Sequence, residues 1–419
     1  MLNLSAAPSI VTSIAVLPFE DVSSEKNQEA FTNAMVIEIS DQLVKIEDLQ
    51  VLSRASTQMY AGSKKSTREI ASELGSANIL MGSVQKEGDN VRITVQLVDG
   101  GTDAFLWSEA YDGKLEGIFD MQRTIAHSVA EALKVQISPH VKQRISKVPT
   151  ENMQAYSNYL EALGSFGNTE KNIPLLEEAI QLDPGFADAY VQLATEKMHE
   201  LSVSEASPEN FKNRAEQIKA MLHQALSLDP DNARGHFMLG SCSYTYDWDF
   251  EKAAFYHRRA LELQPAAINN TYPMYLLAAE RPEDALQYNT FRVLATTPNH
   301  SGVWLLQALC YTYLNNQELA SESLEKAKKL GGQSVLKHTG LAWILCLHGK
   351  YDEILANWEL LTGEDYKAPR HSAMAVAYAK TGQPEACKTI VDQLKQVSNK
   401  SPVGSPAYFT ALIYAQTKE

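Results

Sequence analysis

Hydrophobic and polar residues alternate along residues 77–113, and this alternation predicts three consecutive strands in a meander. In the middle strand every second residue is apolar: Val91, Ile93, Val95 and Leu97. One face of the strand should therefore be buried and the other exposed to solvent. The connecting segments EGDN and DGGTD are rich in residues that tolerate positive φ angles, as tight turns require.

Upstream of this meander, the apolar residues predict strands separated by helices. SIAVLPFED (13–21) and LQVLSR (49–54) are β-rich runs. Residues 27–46 carry an apolar helical face made of Phe31, Ala34, Met35, Ile39 and Leu43. STREIASELG (66–75) predicts a short helix capped by Ser66 or Thr67 and closed by Gly75. With a long helix over about 115–137, the pattern predicts an α+β fold, a mixed sheet with helices on one side.

From residue 150 onward, the pattern changes to paired helices in which bulky and small residues recur. In VWLLQALCYTYLNNQELASESLEKA (303–327) the bulky positions are Trp304, Tyr311 and Leu324, and the small ones are Ala308, Ala320 and Ala327. Two antiparallel helices approach closely where bulky side chains meet small ones. Prolines end the second helices at Pro184, Pro230, Pro265 and Pro298. The last two intervals, 35 and 33 residues, match the ~34-residue period of tetratricopeptide repeats, and the longer first one holds an insertion near 200–210.

Two resemblances follow from these segments. Residues 13–137 resemble the TolB-like amino-terminal domain. The segments that carry this resemblance are SIAVLPFED, LQVLSRAS, REIASELGSANILMGSVQKEGDNVRITVQLVDG and FLWSEAYDG, followed by IFDMQRTIA. The helical pairs resemble tetratricopeptide (TPR) repeats. We therefore expect a TolB-like α/β domain at 10–147 and an all-α TPR superhelix at 148–419, with about seven helical hairpins plus a terminal helix at 406–416. The segment 138–154 is expected to join them.

The resemblance also implies a class of function. The TolB-like module is widespread in bacterial proteins, usually ahead of TPR repeats and commonly after an output domain such as a winged helix, a nucleotide cyclase or a protein kinase. This implies binding or sensing. The first hypothesis is a non-enzymatic interaction or sensor module of a signalling protein. One alternative is the sensory portion of a signalling enzyme (a nucleotide cyclase or a kinase) or of a winged-helix regulator, with a small ligand at the TolB-like domain. Another is a structural adaptor in a cell-envelope assembly.

The first helices of stacked TPR hairpins line a concave groove, the usual place for a peptide or partner helix. The repeat pattern places seven residues on it: Phe237, Tyr244, Leu305, Leu309, Thr312, Tyr313 and Trp343. None is the Lys, Arg or Asn that a carboxylate clamp needs, so we expect an apolar, aromatic groove for a protein or peptide. The alternative for each residue is packing against the neighbouring repeat.

Other candidate residues have structural explanations as well. His127 lies in mid-helix with no nucleophile or carboxylate specified beside it. Arg54, at a strand end, could hold an anion or pair with a nearby carboxylate. Asp249 is expected to cap a helix that begins near Phe250. No HExxH, GxSxG, phosphate-binding loop or other catalytic motif occurs, so we expect no catalytic residue, metal or cofactor.

Composition narrows the range of partners. The formal net charge is −14. Because binding a nucleic-acid duplex needs clustered Lys and Arg residues, we expect no direct nucleic-acid binding. The four cysteines form no CxxC and lie in apolar helical runs, so each is expected to be a reduced, buried thiol. No run approaches the ~18 apolar residues of a membrane span, and the start MLNLSAAPSIVTS is unlike a signal peptide. The compartment stays unknown: these features favour the cytoplasm, whereas an upstream membrane helix in a longer parent would favour the periplasm. A homodimer also stays open.

Overall fold

The computed structural model describes most of the chain. The described residues are 12–25, 28–46, 48–165, 167–203, 208–264, 271–332, 335, 339–357, 368–398 and 413–414. Pro265, part of the expected insertion at 200–210 and most of the expected terminal helix at 406–416 lie outside them.

The described residues belong to two compact units. The first comprises residues 1–202, 217–269 and 295–298, and the second comprises 203–216, 270–294 and 299–419. The boundary that the sequence suggests at 147/148, and the count of about seven hairpins, stay predictions.

A mixed sheet lies in the first unit. Its strands are β1 (Thr12–Val16), β2 (Glu20–Asp21), β3 (Leu49–Val51), β4 (Asn78–Glu87), β5 (Asn90–Asp99) and β6 (Phe105–Lys114). The strand order is β3-β1-β4-β5-β6, and β2 pairs with β4. β1 is parallel to β3 and β4, whereas β4, β5 and β6 form the predicted antiparallel meander. The turn residues Gly88 and Asp103 have φ angles of 59° and 62°, as their sequences predict.

Helices pack on both faces of this sheet. α1 (Glu29–Val44) and α4 (Ile118–Ala132) pack on the face that carries Ile14 and Ile93. After the short α2 (Arg54–Thr57), α3 (Thr67–Leu74) packs on the other face with Ala15 and Ile79. The mixed sheet with helices is confirmed, but the helices do not all lie on one side. The crossovers from β1 to β3 and from β3 to β4 run in opposite directions along the sheet, so right-handedness requires opposite faces.

The ends of α3 are fixed by local chemistry. The Ser66 hydroxyl accepts a hydrogen bond from the Glu69 backbone N–H at 3.3 Å, and the Glu69 carboxylate accepts one from the Ser66 N–H at 2.8 Å. Gly75 ends the helix in the left-handed region, with a φ of 64°. Both predicted caps are confirmed, because a capping box and a left-handed glycine satisfy the backbone groups that a helix end leaves open.

The first repeat helix continues the core of the sheet. The expected joining segment contains α5 (Pro139–Ile145), and its Val141 and Ile145 are buried in the same core as α1. α6 (Met153–Gly164) then packs on α1, where a Cβ atom at Gly164 would lie only 1.8 Å from the carbonyl oxygen of Ala30. The sheet and the first hairpin, which α7 (Thr169–Leu182) completes, therefore share one hydrophobic core.

The remaining helices follow one another in pairs. They are α8 (Ala187–Val203), α9 (Pro208–Leu228), α10 (Ala233–Cys242), α11 (Phe250–Leu263), α12 (Thr271–Ala278), α13 (Pro282–Tyr288), α14 (Ser301–Tyr313), α15 (Gln317–Gly331), α16 (Thr339–Leu347), α17 (Tyr351–Ala356), α18 (Ala368–Lys380) and α19 (Pro384–Ser398). Side chains of Asn or Asp cap several of them, and Asp249 caps α11 as predicted.

The small residues of the repeat pattern lie where the helices meet. In the second unit, Ala308, Ala320 and Ala327 are each 0% exposed, and α14 packs along α15 around them. Glu280, which stands where the repeat usually has glycine, has a φ of 56°. The alternation of bulky and small side chains therefore does pack the helices closely, as the sequence predicts.

Candidate functional site

A cleft of about 490 Å³ lies in the first unit between α1, the ends of β1 and β3, and α10. More than half of its lining is apolar, and these residues are Val16, Val36, Ile37, Val44, Val51, Leu52, Phe237 and Met238. The uncharged polar residues are Ser40, Ser53, Thr57 and Gln264, and the charged ones are Asp41, Arg54 and Arg234. An apolar cleft with a few convergent polar groups is the usual form of a ligand site.

The topology of the sheet explains why a cleft opens here. β1 ends at Val16 and β3 ends at Val51, and the two strands are parallel neighbours. The chain leaves β1 for α1 on one face of the sheet and leaves β3 for α3 on the other. Adjacent parallel strands whose connections diverge in this way leave a crevice outside their carboxyl ends.

The three charged residues of the cleft differ in their partners. Arg234 donates hydrogen bonds to the side-chain oxygens of Gln192 and Thr195 and interacts electrostatically with Asp41. Half-buried Arg54 donates from Nε to Gln58 Oε1 at 2.8 Å. Within the described part of the chain, no carboxylate forms an ion pair with Arg54, and burial lowers the pKa of its guanidinium. The described residues therefore do not support the alternative in which Arg54 pairs with a nearby carboxylate.

A second charged cluster lies beside the cleft on α1. Burial, together with the negative charges of Asp41 and Asp188, raises the pKa of the Glu38 carboxyl to about 8. The Tyr159 hydroxyl donates a hydrogen bond to Glu38, while Lys45 is the nearby cation that opposes the shift. Burial contributes most to the raised pKa of Glu38. Two tyrosines of α6, Tyr156 and Tyr159, are packed in this core and help to bury the carboxyl group.

Two of the residues expected in the TPR groove lie in the first unit. Phe237 is 5% exposed and forms part of the wall of the cleft, with its ring 5.9 Å from that of His257. Tyr244 is half-buried, and its ring contacts Phe250 edge-on at 6.0 Å.

The other five expected groove residues lie in the second unit. On α14, Leu305 is buried in the core at 2% exposure, and Leu309 packs against that core. Thr312 Oγ1 lies 3.0 Å from His348 Nε2 beyond the end of α16, on which Trp343 is half-buried. Tyr313, at the end of α14, is 53% exposed. The structure therefore brings α14 and α16 together, with Tyr313 the most accessible of the five and Leu305 the least.

The remaining features to consider are His127, the four cysteines, possible metal-binding clusters and possible membrane-spanning helices. Half-buried His127 has its pKa lowered by burial and then by Lys142 and Arg123. All four cysteines are buried thiols that form no disulfide. In the part of the chain that the structure describes, no cluster of His, Cys, Asp and Glu could hold a metal ion. Among the helices described, none has the length and apolarity that crossing a bilayer requires.

Sequence reasoning singled out Arg54 and Phe237 but not Asp41 or Arg234. Asp41 is one of several polar residues on an amphipathic helix, and Arg234 follows an ordinary Asn cap. The only available signal was the position of Arg54 at the carboxyl end of a strand, where open α/β sheets usually bind ligands.

The chain is similar to two families over part of its length. Residues 10–128 match the second domain of HilA/YgeH-like transcriptional regulators, and residues 301–330 match the tetratricopeptide repeat. The TPR expectation is confirmed for that region. For the amino-terminal domain, the similarity found is to the HilA/YgeH-like domain and not specifically to a TolB-like one.

One curated relative is similar over a larger region. A protein of Rhizobium meliloti (strain 1021) named "Putative adenylate cyclase 3" is 29% identical over 244 residues, which are 57% of this chain and 40% of that protein. The chain therefore spans about two fifths of the length of this relative.

Solved structures also resemble parts of the chain. PilW, a widely conserved type IV pilus biogenesis factor, is 21% identical over 50% of this chain and 92% of its own, with a TM-score of 0.39. PilF of Pseudomonas aeruginosa is 22% identical over 55% and 98%, with a TM-score of 0.36. The TPR protein YrrB is 24% identical over 43% and 88%, with a TM-score of 0.30. At these TM-scores the likenesses carry no inference about function.

Proposed function

We propose that this chain is a non-enzymatic interaction module of a regulatory protein, in which α14 and α16 bind a protein or peptide segment. What supports the proposal is the helical spacing of Leu309, Thr312 and Tyr313, which puts them on one face of α14. The α14 helix also packs against α16, which carries Trp343. Tyr313 is 53% exposed, whereas Ala308 and Cys310 on the same helix are 0% exposed. An exposed aromatic beside a rigid, close-packed hairpin suits an anchor for an apolar side chain of a partner.

The regulatory context rests on the similar proteins. The domain matched over residues 10–128 is described in transcriptional regulators, and the curated relative is named as an adenylate cyclase. Both names belong to proteins that transmit signals, which supports a sensor or scaffold within a signalling protein. The TolB-like resemblance of the quoted segments agrees with this placement. A homodimer, and the absence of nucleic-acid binding, stay predictions.

A peptide selection tests the partner surface. The purified chain would be used to select ligands from a displayed random-peptide library, and the affinity of each selected peptide would be measured by fluorescence polarisation. We expect Tyr313→Ala to weaken binding at least about tenfold, as for an interface hot spot. Phe255→Ala is the matched control, because Phe255 is 59% exposed but lies on α11, the second helix of its hairpin. Equal affinities for Tyr313→Ala and the wild-type chain would overturn the assignment of the surface.

An activity assay tests whether the chain itself is catalytic. If the chain itself carried cyclase activity, incubation with ATP and a divalent cation would produce cyclic AMP. We expect none above a heat-treated sample, and a clear ATP-dependent signal would refute a non-enzymatic role.

A further inference from the structure

The cleft of the first unit has an excess of positive charge. Two arginines and one carboxylate line it, and the carboxylate, Asp41, already faces Arg234 and Lys45 electrostatically. Arg54 has no such compensation among the described residues, and it has lost part of its hydration because it is half-buried. An arginine in this condition gains from a charge-assisted, bidentate hydrogen bond to an anion, which restores the interactions that burial has removed.

The walls of the cleft select the rest of the ligand. Val36 and Val44 on α1 face a space that also meets Phe237 and Met238 of α10. Such walls exclude a strongly hydrated ion and favour an aliphatic or aromatic body. Ser53 and Gln264 can donate further hydrogen bonds to an anion. The hydroxyls of Ser40 and Thr57 already donate to backbone carbonyl oxygens.

The charge balance distinguishes between anions. The lining arginines and Asp41 give a formal excess of one positive charge. A monoanion neutralises this excess, whereas a phosphate dianion would leave negative charge beside Asp41, where like charges repel. The planar fork of a guanidinium also matches the two oxygens of a carboxylate.

We propose that this cleft binds a small organic carboxylate with an apolar body, held by Arg54 and packed against Phe237 and the valines of α1. The carboxylate belongs either to a free acid or to the carboxyl terminus of a peptide, since both present the same group. The site lies in the first unit, where α10 meets the sheet domain, and none of its lining residues belongs to α14 or α16.

Binding of defined probes to the whole chain tests the proposal. The free-acid probes are phenylacetate and octanoate, and the peptide probe is Ala-Leu-Phe with a free carboxyl terminus. Their neutral controls are phenylacetamide, octanamide and amidated Ala-Leu-Phe. Isothermal titration or saturation-transfer NMR at millimolar concentration should detect at least one acid and none of the amides. Binding by the free acids alone identifies a small-molecule site, and binding by the peptide alone identifies a carboxyl terminus. If no acid binds, or if acid and amide bind equally, the proposal is wrong.

Two cleft variants make the test specific. Arg54→Gln should weaken the binding of the acid at least about tenfold, because a charge-assisted bond is lost. Asp41→Asn should strengthen it several-fold, because a like charge is removed, and a misfolded variant could not produce this gain. Arg92→Gln is the control, since Arg92 pairs with Asp112 on the exposed meander outside the cleft. Unchanged affinity in Arg54→Gln, or the same loss in Arg92→Gln as in Arg54→Gln, would refute the role of Arg54.

Discussion

The contact of Gly164 on α6 with α1 offers a direct test of how the sheet and the first repeat are joined. Gly164 is buried at the end of α6, and a Cβ atom added there would lie 1.8 Å from the carbonyl oxygen of Ala30 and 2.6 Å from its carbon. Ordinary van der Waals contact begins at 3.4 Å, so the two helices would have to separate by roughly 1.6 Å. The Gly164→Ala variant therefore acts on the packing of the sheet domain against the first hairpin.

Two effects of this substitution oppose each other. Replacing glycine by alanine inside a helix gains up to about 1 kcal/mol of backbone free energy, and less at the last residue of the helix. Overpacking a core costs typically about 1–3 kcal/mol. The upper end applies here because the clashing atoms belong to the backbone of a packed helix and cannot rotate away. We expect overpacking to prevail and the free energy of unfolding to fall by about 2 kcal/mol.

The assay is urea unfolding of the whole chain followed by far-ultraviolet circular dichroism. Gly117→Ala is the matched control, because Gly117 has an ordinary φ of −95° and a Cβ atom there would meet nothing within 4 Å. We expect the control to stay within about 0.5 kcal/mol of the wild-type chain. If Gly164→Ala is as stable as the control, the close contact of α6 with the backbone of α1 is refuted.

Two further predictions concern titratable groups. The pKa of Glu38 is about 8 in the fold and 4.5 ordinarily, so between these values the folded chain holds a proton that the unfolded chain has released, and stability falls as the pH rises. Glu38→Gln should remove this dependence of stability on pH. As the pH rises from 5 to 8, the free energy of unfolding of the variant should gain roughly 2 kcal/mol relative to the wild-type chain, less than the full pKa shift implies because solvent reaches part of the side chain. An unchanged pH dependence in urea unfolding would contradict this. Burial raises the pKa of the Cys242, Cys310 and Cys346 thiols to about 12, so a thiol reagent should label them at pH 8 only after unfolding; rapid labelling of the native chain would show that they are accessible.

The parts of the fold that the sequence predicts are those set by neighbours along the chain. The alternation in β5 fixes which side chains face the core, and the capping residues of α3 fix where that helix begins and ends. The recurring alanines of α14 and α15 give the hairpin, because side chains on facing helices must fit within one repeat. Each of these signals lies within about 35 residues, the span of one repeat.

The placement of α3 shows where local patterns stop being sufficient. Its amphipathic sequence predicts a helix with one buried face, but not which side of the sheet that face covers. The handedness of two crossovers decides this, and the decision depends on β1 lying between β3 and β4. A strand order is a property of the assembled sheet.

The cleft and the properties of Glu38 were decided by tertiary structure alone. Arg54 and Arg234 are roughly 180 residues apart in the sequence, and only the packing of α10 near the ends of β1 and β3 brings them to one cleft. Glu38 has the pattern of a solvated helix residue until α6 places two tyrosines beside it. Hydrophobic periodicity determines which elements form, because it depends on near neighbours. Desolvation and the convergence of charges depend on distant segments meeting in space, so they exist only in the folded chain.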